Sequence, residues 1–407
     1  MQTKGEKIFI SDYDYDLPAD RIAHFPLNKR DESKLLVVNK GIIKDSFFKE
    51  IDSLLPPKSY LVLNNTKVIE ARIFFQKQSG GFIEIFCLEP FEPTEITIAM
   101  VQTKRALWHC LIGGASKWKY GLILEKNILV ANKTILLSAR YIKKEAEDFL
   151  IEFTWTGDVP FGEVLHAAGA IPLPPYIKRE AIKEDAERYQ TIFAQHRGSV
   201  AAPTAALHFT NDVFERLVQK NIHPSFLILH VGAGTFKPVK SETIAGHQMH
   251  GENFSVSKKM LQELVNADMI VAVGTTSLRT LESLYWMGLK LNKRGKDFDF
   301  SLNQWEAYEL EENHFNYKES LSILIDYLEE TDKEYLMCRT SLLIIPGYVF
   351  KSAKALITNF HQPRSTLLLL VAAFIGDDWK KVYEHALAKD YRFLSYGDSS
   401  LLWRADA

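Results

Sequence analysis

Val271-Ala272-Val273-Gly274-Thr275-Thr276-Ser277-Leu278-Arg279 is the stretch on which the fold class turns. An apolar, β-branched run of this length reads as a buried strand, and Gly274 ends it. The hydroxyl residues that follow suit a helix start, with Ser277 as N-cap and a helix running to Met287. The same alternation recurs around it. Strands are expected at Lys34–Val38, Leu61–Leu63, Phe226–Val231, Ser341–Ile345 and Ala355–Ile357, and a short helix from Asp16-Leu17-Pro18. Longer helices are expected at Asn211–Lys220, Lys258–Asn266 and Thr366–Ile375. Strands alternating with helices predict an α/β domain.

From about Val68 to Phe153 the pattern changes. Phe82–Phe86, Glu95–Met100, Leu107–Ile112, Leu122–Leu124, Ile128–Val130 and Phe149–Phe153 are short apolar runs separated by glycines and charged turns. This spacing suggests a small antiparallel barrel. The expected fold is therefore a larger α/β domain, residues 1–67 and 154–407, with an inserted small antiparallel β-barrel domain at 68–153.

The 407 residues suffice for a sizeable core, and 46% hydrophobic with 25% charged residues is ordinary globular composition. A net charge of -2 announces no polyanionic partner, so positive charge for one must be local. Cys87, Cys110 and Cys338 are far apart in apolar runs, which predicts buried thiols rather than disulfides or metal ligands. The first residues carry no apolar signal segment. The longest apolar run, Leu367–Ile375, is nine residues, too short for a bilayer span. Cytoplasm is the expected compartment, with no membrane contact.

Charge is uneven along the chain. Thr103–Lys144 holds nine basic residues against the single acid Glu125, among them Lys104, Arg105, Lys117 and Lys119, with Trp108, Trp118 and Tyr120 interleaved. Such a stretch can hold phosphates and stack unpaired bases, or simply be a solvated face. Asp297–Glu334 holds twelve acids against Lys318 and Lys333 and reads as part of a peripheral acidic insert at about 289–339.

Candidate chemistry concentrates in the second half. Backbone N–H groups and hydroxyls of Gly274, Thr275, Thr276 and Ser277, with Arg279 one turn on, suit a carboxylate or phosphate. An ordinary helix cap fits the same residues. His230 precedes Gly232-Ala233-Gly234-Thr235-Phe236, whose Gly-x-Gly is a weak dinucleotide signal because Pro238 follows. His247-x-x-His250-Gly-Glu252 and His361 admit a metal-hydrolase reading, but no third spaced ligand completes it. General acid–base work or polar core contacts are the alternatives.

Read together and in order, other strings decide more. They include Tyr15-Asp16-Leu17-Pro18, Pro26-Leu27-x-x-Arg30-Asp31-x-Ser33, Leu63-Asn64-Asn65-Thr66-Lys67-Val68, and Ile171-Pro172-Leu173-Pro174-Pro175-Tyr176-Ile177. Glu187-Arg188-Tyr189-Gln190-Thr191, Gly198–Ala205, Leu207-His208-Phe209-Thr210, Thr358-Asn359-Phe360-His361 and Tyr391-Arg392-Phe393-x-Ser395-Tyr396-Gly397-Asp398 follow. Nearly end to end, the chain resembles the S-adenosylmethionine:tRNA ribosyltransferase-isomerase family of queuosine biosynthesis. It departs at Glu70, where proline is usual, at Gln362, where leucine is usual, and in the longer acidic region before Arg339.

The resemblance implies a reaction. The amine of 7-aminomethyl-7-deazaguanine, at the wobble position of a tRNA anticodon loop, receives the ribosyl skeleton of S-adenosylmethionine. Isomerisation gives epoxyqueuosine-tRNA, with adenine and methionine released. No metal or separate cofactor is implied, and a monomer is expected. An alkylammonium of pKa ~10 must lose its proton first, so groups titrating near neutrality are useful. His208, His230, His247, His250 and His361 are the candidates. Gly274–Ser277 with Arg279 would hold the substrate carboxylate, Tyr189, Phe209 and Glu252 the sulfonium, and Asn359 is a further contact. Lys104, Arg105, Lys117, Lys119 and Trp118 would face RNA. A nucleotide-acting metal hydrolase and a non-catalytic tRNA-binding protein are the competing readings.

Overall fold

A computed structural model describes residues 4–77, 79–145, 148–232, 234, 238–295, 298–310 and 315–405. Ala233, Thr235 and Phe236 of the Gly-x-Gly stretch lie outside the described residues, as do Asp297, Glu311 and Glu312 of the acidic stretch.

The larger sheet has ten strands. Their order is Ser301–Leu302, Tyr335–Thr340, Glu252–Ser257, His223–Leu229, Ser59–Asn64, Met269–Val273, Ala355–Asn359, Ser399–Trp403, Lys34–Asn39 and Ile42–Phe47. Ser59–Asn64 pairs in parallel with His223–Leu229 and with Met269–Val273, which pairs in parallel with Ala355–Asn359. Parallel neighbours need long crossovers, and helices Asn211–Gln219 and Thr275–Arg294 lie on two of them. Successive residues of a strand point to opposite faces. Val62, Ala272 and Leu356 accordingly join one apolar core, while Leu61, Leu63, Val271, Val273 and Ile357 join another. Burial on both faces is why these strands read as continuous apolar runs.

The second sheet is antiparallel, in the order Gly169–Ala170, Arg72–Gln76, Phe82–Glu92, Arg105–Gly113, Phe149–Trp155, Lys133–Lys144 and Ile123–Val130. It curls until Arg72–Gln76 and Ile123–Val130 approach, yet no ladder joins them among the described residues. Helix Phe161–Ala168 lies against both strands instead. Its Phe161 packs on Trp108, Phe153 and Trp155, with ring centroids 5.4, 5.5 and 5.4 Å away. The barrel expected from the sequence is thus an open half-barrel, because a helix occupies the place of closure.

Three local expectations change for physical reasons. Glu95–Met100 leads into helix Ile96–Val101, in which Ala99 and Met100 turn to the core of the half-barrel. Ser341–Ile345 is irregular; the strand is Tyr335–Thr340 just before it. Leu342 to Ile345 are nonetheless all buried, since their amides bond outside a ladder: Leu343 N–H to Gln304 O at 3.3 Å and Ile345 N–H to Tyr308 Oη at 3.1 Å. Asp16-Leu17-Pro18 leads only into the single turn Ala19–Arg21.

The acidic stretch is no appendage. It contributes Ser301–Leu302 and Tyr335–Thr340 to the large sheet, and Leu321, Leu324 and Leu328 of helix Tyr317–Glu330 join the main core. That helix crosses Thr275–Arg294, which is buried from Thr275 through Leu291. The crossing is close at Gly288, where a Cβ would stand 2.1 Å from Ser320 Oγ and 2.3 Å from its carbonyl oxygen. Gly288→Ala should therefore cost about 1–3 kcal/mol by overpacking. A denaturation midpoint equal to wild type would show that the helices can part freely.

Candidate functional site

The parallel strands end on one side of the large sheet, and ligands in open α/β sheets bind outside such carboxyl ends. His230 follows His223–Leu229, Gly274 follows Met269–Val273, and His361 follows Ala355–Asn359. Glu252 opens an antiparallel neighbour, so it arrives on the same side. The half-barrel forms the facing wall. His230, His247, His250, Glu252 and Arg279 line one cavity of about 180 Å³ with Glu89 and Asp148 of the half-barrel. Gly274, Thr275, Thr276, Asn359 and His361 line an adjoining cavity of about 70 Å³ that shares Val231 and Leu367 with the first.

Arg279 and Glu252 form an ion pair, and both are buried, 8% and 6% exposed. Burial lowers the Arg279 pKa to about 10, so it stays charged at neutral pH. Glu252 Oε1 also accepts from Gly232 N–H at 3.4 Å. Arg339, which sequence reasoning passed over, lines the same cavity, its Nη1 3.5 Å from Asn253 Oδ1. The usable signal was alternation: Leu336, Cys338 and Thr340 face the core, which turns Arg339 the other way.

His230 Nδ1 lies 3.2 Å from Thr66 Oγ1, and that hydroxyl donates to His196 O at 3.2 Å. With its proton so used, Thr66 accepts from Nδ1–H, which leaves the Nε2 lone pair of His230 as a base. Burial, then the neighbouring His196, lowers the His230 pKa to about 4, so the ring is neutral. Gly198, at φ +147°, has no side chain against this ring; a Cβ there would stand 2.8 Å from Nδ1. Burial and then His250 lower the pKa of His247. His361 Nε2 lies 2.8 Å from Thr358 Oγ1, and burial pushes its pKa to about 3.

The five histidines do not form one cluster. His208 is buried with its ring 5.0 Å from that of Phe48 and lines a third, smaller cavity beside Arg30 and Arg392. Tyr189 and Phe209 are fully buried in separate apolar cores, Tyr189 against Tyr396 and Phe209 between Phe48 and Phe214. Neither lines the cleft, because aromatic rings this apolar are needed for packing. The helix begins one turn earlier than expected, with Gly274 as N-cap at φ +92°. Thr275 and Thr276 therefore reach the cleft while Ser277 is sealed beneath. Asn359 Oδ1 accepts from Thr204 Oγ1 at 2.9 Å, and its buried Nδ2 has no partner among the described residues.

On the half-barrel, Lys104 pairs with Asp158 at 3.0 Å, and Arg105 and Arg140 share Glu152 at 2.7 and 2.6 Å. Much of the basic excess is thus compensated across strands. Lys117 and Lys119 stay exposed. Trp118 is buried, its Nε1–H donating to Leu122 O at 2.8 Å, so Tyr120, 76% exposed, is the ring available for stacking. Glu70 has found a partner in His166 Nδ1 at 2.9 Å. One trio among the described residues, His109, Glu145 and Asp148, brings potential metal-ligand atoms within 4.8 Å of one another, but Lys143 Nζ already sits 2.6 Å from Glu145. No described helix is long and apolar enough to cross a membrane.

Comparison with known proteins gives one answer. The family described as "Queuosine biosynthesis protein" matches residues 10–402. The S-adenosylmethionine:tRNA ribosyltransferase-isomerase of Nitrosococcus oceani is 36% identical over 403 residues, covering 97% of this chain and 98% of its own. That of Thermotoga maritima is 35% identical over 402 residues, covering 97% and 99%. The crystal structure of S-adenosylmethionine tRNA ribosyltransferase from Thermotoga maritima is 28% identical, spans 96% of this chain and 99% of that one, and has a TM-score of 0.46. The chain belongs to the queuosine biosynthesis protein family.

Proposed function

We propose that this chain transfers and isomerises the ribosyl part of S-adenosylmethionine onto 7-aminomethyl-7-deazaguanine at the tRNA wobble position, releasing adenine and methionine. The observation that carries the reading is the cleft itself, where a neutral histidine and a buried ion pair share one cavity. The substrate is a cation at sulfur and a zwitterion in its methionine part. Arg279 would turn to the carboxylate and Glu252 to the ammonium or sulfonium, so no buried charge is left alone when the pair opens. The N-terminus of helix Thr275–Arg294, through Thr275 and Thr276, would assist at the carboxylate. His230 Nε2, a neutral acceptor, would hold and orient the incoming amine; His247 and His250 flank it, and one of them would protonate departing adenine.

S-adenosylmethionine is then a substrate, and we propose that no further cofactor takes part. The large sheet and its helices, 1–67 and 154–407, would form the catalytic domain, with the half-barrel of 68–153 as an inserted one completed by Phe161–Ala168. The exposed Lys117 and Lys119 would meet the anticodon arm of the tRNA. We further propose a cytoplasmic monomer.

Purified protein given S-adenosylmethionine and hypomodified tRNA should release adenine as the wobble base is altered; an intact nucleoside would refute the assignment. In that assay His230→Ala should slow turnover by about 10-fold, the worth of one orienting hydrogen bond. Arg279→Met or Glu252→Met alone should destabilise the fold by about 3–5 kcal/mol, since each strands a buried charge. The double variant should recover most of that stability and still fail to bind S-adenosylmethionine; binding at wild-type strength would remove the pair from the site. Lys117→Glu with Lys119→Glu should weaken tRNA binding and flatten its salt dependence. Unchanged tRNA affinity would move the RNA surface elsewhere.

A further inference from the structure

Four of the strings that carry the family resemblance meet beside the cleft, in a cavity that shares Ser395 with its smaller part. Arg30 and Ser33, Arg188, His208, and Arg392 with Ser395 line one cavity of about 20 Å³. Three guanidinium groups, all half-buried, converge on it. Arg30 donates to Gln190 O at 2.6 Å and Glu187 O at 3.0 Å, and Arg188 donates to Leu27 O and, at 3.2 Å, to Asn28 O. Those acceptors are neutral carbonyls. Arg392 donates to Asp398 at 3.1 Å, the carboxylate paired with this group. Burial lowers the Arg30 pKa, and the next cause is the charge of Arg188, partly offset by Glu187. Like charges held this way favour an anion between them.

The interior polar atoms point the same way. Ser33 Oγ, Arg188 Nε and His208 Nε2 are buried with no partner among the described residues, and Ser33 and His208 are 1% and 5% exposed. Leaving such groups unmet costs about 1–3 kcal/mol each. The Ser33 hydroxyl and a spare guanidinium N–H, ringed by arginines, match oxygens of a tetrahedral anion; His208, which burial holds neutral with its pKa lowered to about 4, adds no charge there.

We propose that this cavity binds a phosphate-class oxyanion, and that a phosphodiester of the tRNA supplies it; the second clause rests on the function proposed above. The space admits one oxyanion group, not a nucleoside, so the rest of the chain would run along the mouth. There Phe25, next to the lining Pro26, stands 55% exposed with the Arg179 guanidinium 4.2 Å from its ring centroid. An exposed aromatic beside a phosphate contact is how single strands are commonly held.

The test uses Arg392→Gln and Ser33→Ala in the full chain. Asp398 keeps two backbone donors, Lys34 N–H at 3.1 Å and the N–H of residue 392 at 2.8 Å, so the first variant should fold. Inorganic phosphate should raise the melting temperature of wild type above that in chloride at equal ionic strength, and lose this effect in Arg392→Gln and in Ser33→Ala. Arg392→Gln should bind tRNA about three- to tenfold more weakly, with the slope of log K against log[salt] smaller by about 0.7–0.9, the share of one phosphate. S-adenosylmethionine affinity should stay as in wild type. Loss of the phosphate effect with an unchanged tRNA slope would keep the oxyanion site and overturn its RNA source. Absence of any phosphate-specific stabilisation, with wild-type tRNA binding in both variants, would overturn the proposal and leave the arginines as staples for backbone carbonyls. The phosphate measurement needs neither tRNA nor turnover, so it reads independently of whether adenine is released.

Discussion

A helix that is buried all round makes every unpaired polar side chain costly, and Thr275–Arg294 carries several polar residues. Four of them are met by residues distant in sequence. Arg279 meets Glu252. Glu282, whose pKa burial raises, accepts from Tyr348 Oη at 2.8 Å and from Ser352 N–H and Oγ–H at 2.9 and 2.5 Å. Ser283 Oγ lies 2.8 Å from Thr340 Oγ1, and Lys290 Nζ lies 2.6 Å from both Glu306 and Ser301 O. These partners are the turns and edge strands that would otherwise be hardest to place. The helix thus sets where the flanking segments go, and its first turn and Arg279 arrive at the strand ends already oriented.

Burial explains the chemistry of the cleft as well as its shape. Two of the histidines that line it, His230 and His361, are held neutral by desolvation, which makes them bases or hydrogen-bond partners rather than cations. The strong positive charge buried there among the described residues, Arg279, comes with its own counter-ion. A cleft so balanced is suited to a ligand that carries both signs, and it sits well with a chain whose overall charge is close to zero.

Much of this was legible in the sequence where one short-range pattern decides. The parallel core strands were apolar on both faces, and Val271–Arg279 announced a strand turning into a helix. Patterning failed where partners from elsewhere override it. Trp118 sits in a basic, exposed-looking stretch, yet its ring is core because Leu122 O takes its N–H. Leu342–Ile345 is apolar enough for a strand, but side chains and loops use up its hydrogen bonds. Tyr189, Phe209 and His208 belong to strings that mark the family, and no spacing rule could say that these pack or line the third cavity while His230 faces the cleft. Arg339 was hidden because its strand, Tyr335–Thr340, was misplaced by a few residues.

The contact between Lys290 and Glu306 ties the acidic stretch to the buried helix in a way that constrains how such chains can diverge. A lysine 2% exposed is costly to keep charged once its carboxylate is gone, whereas Glu306 would still have Arg294 at 3.6 Å and the Asn303 N–H at 3.1 Å. Loss of the acidic stretch would strand a cation in the core, so shortening it demands an apolar residue at 290 in the same lineage. The two positions should be inherited or replaced jointly, and a homologue with one and not the other would need a new counter-ion from its own loop.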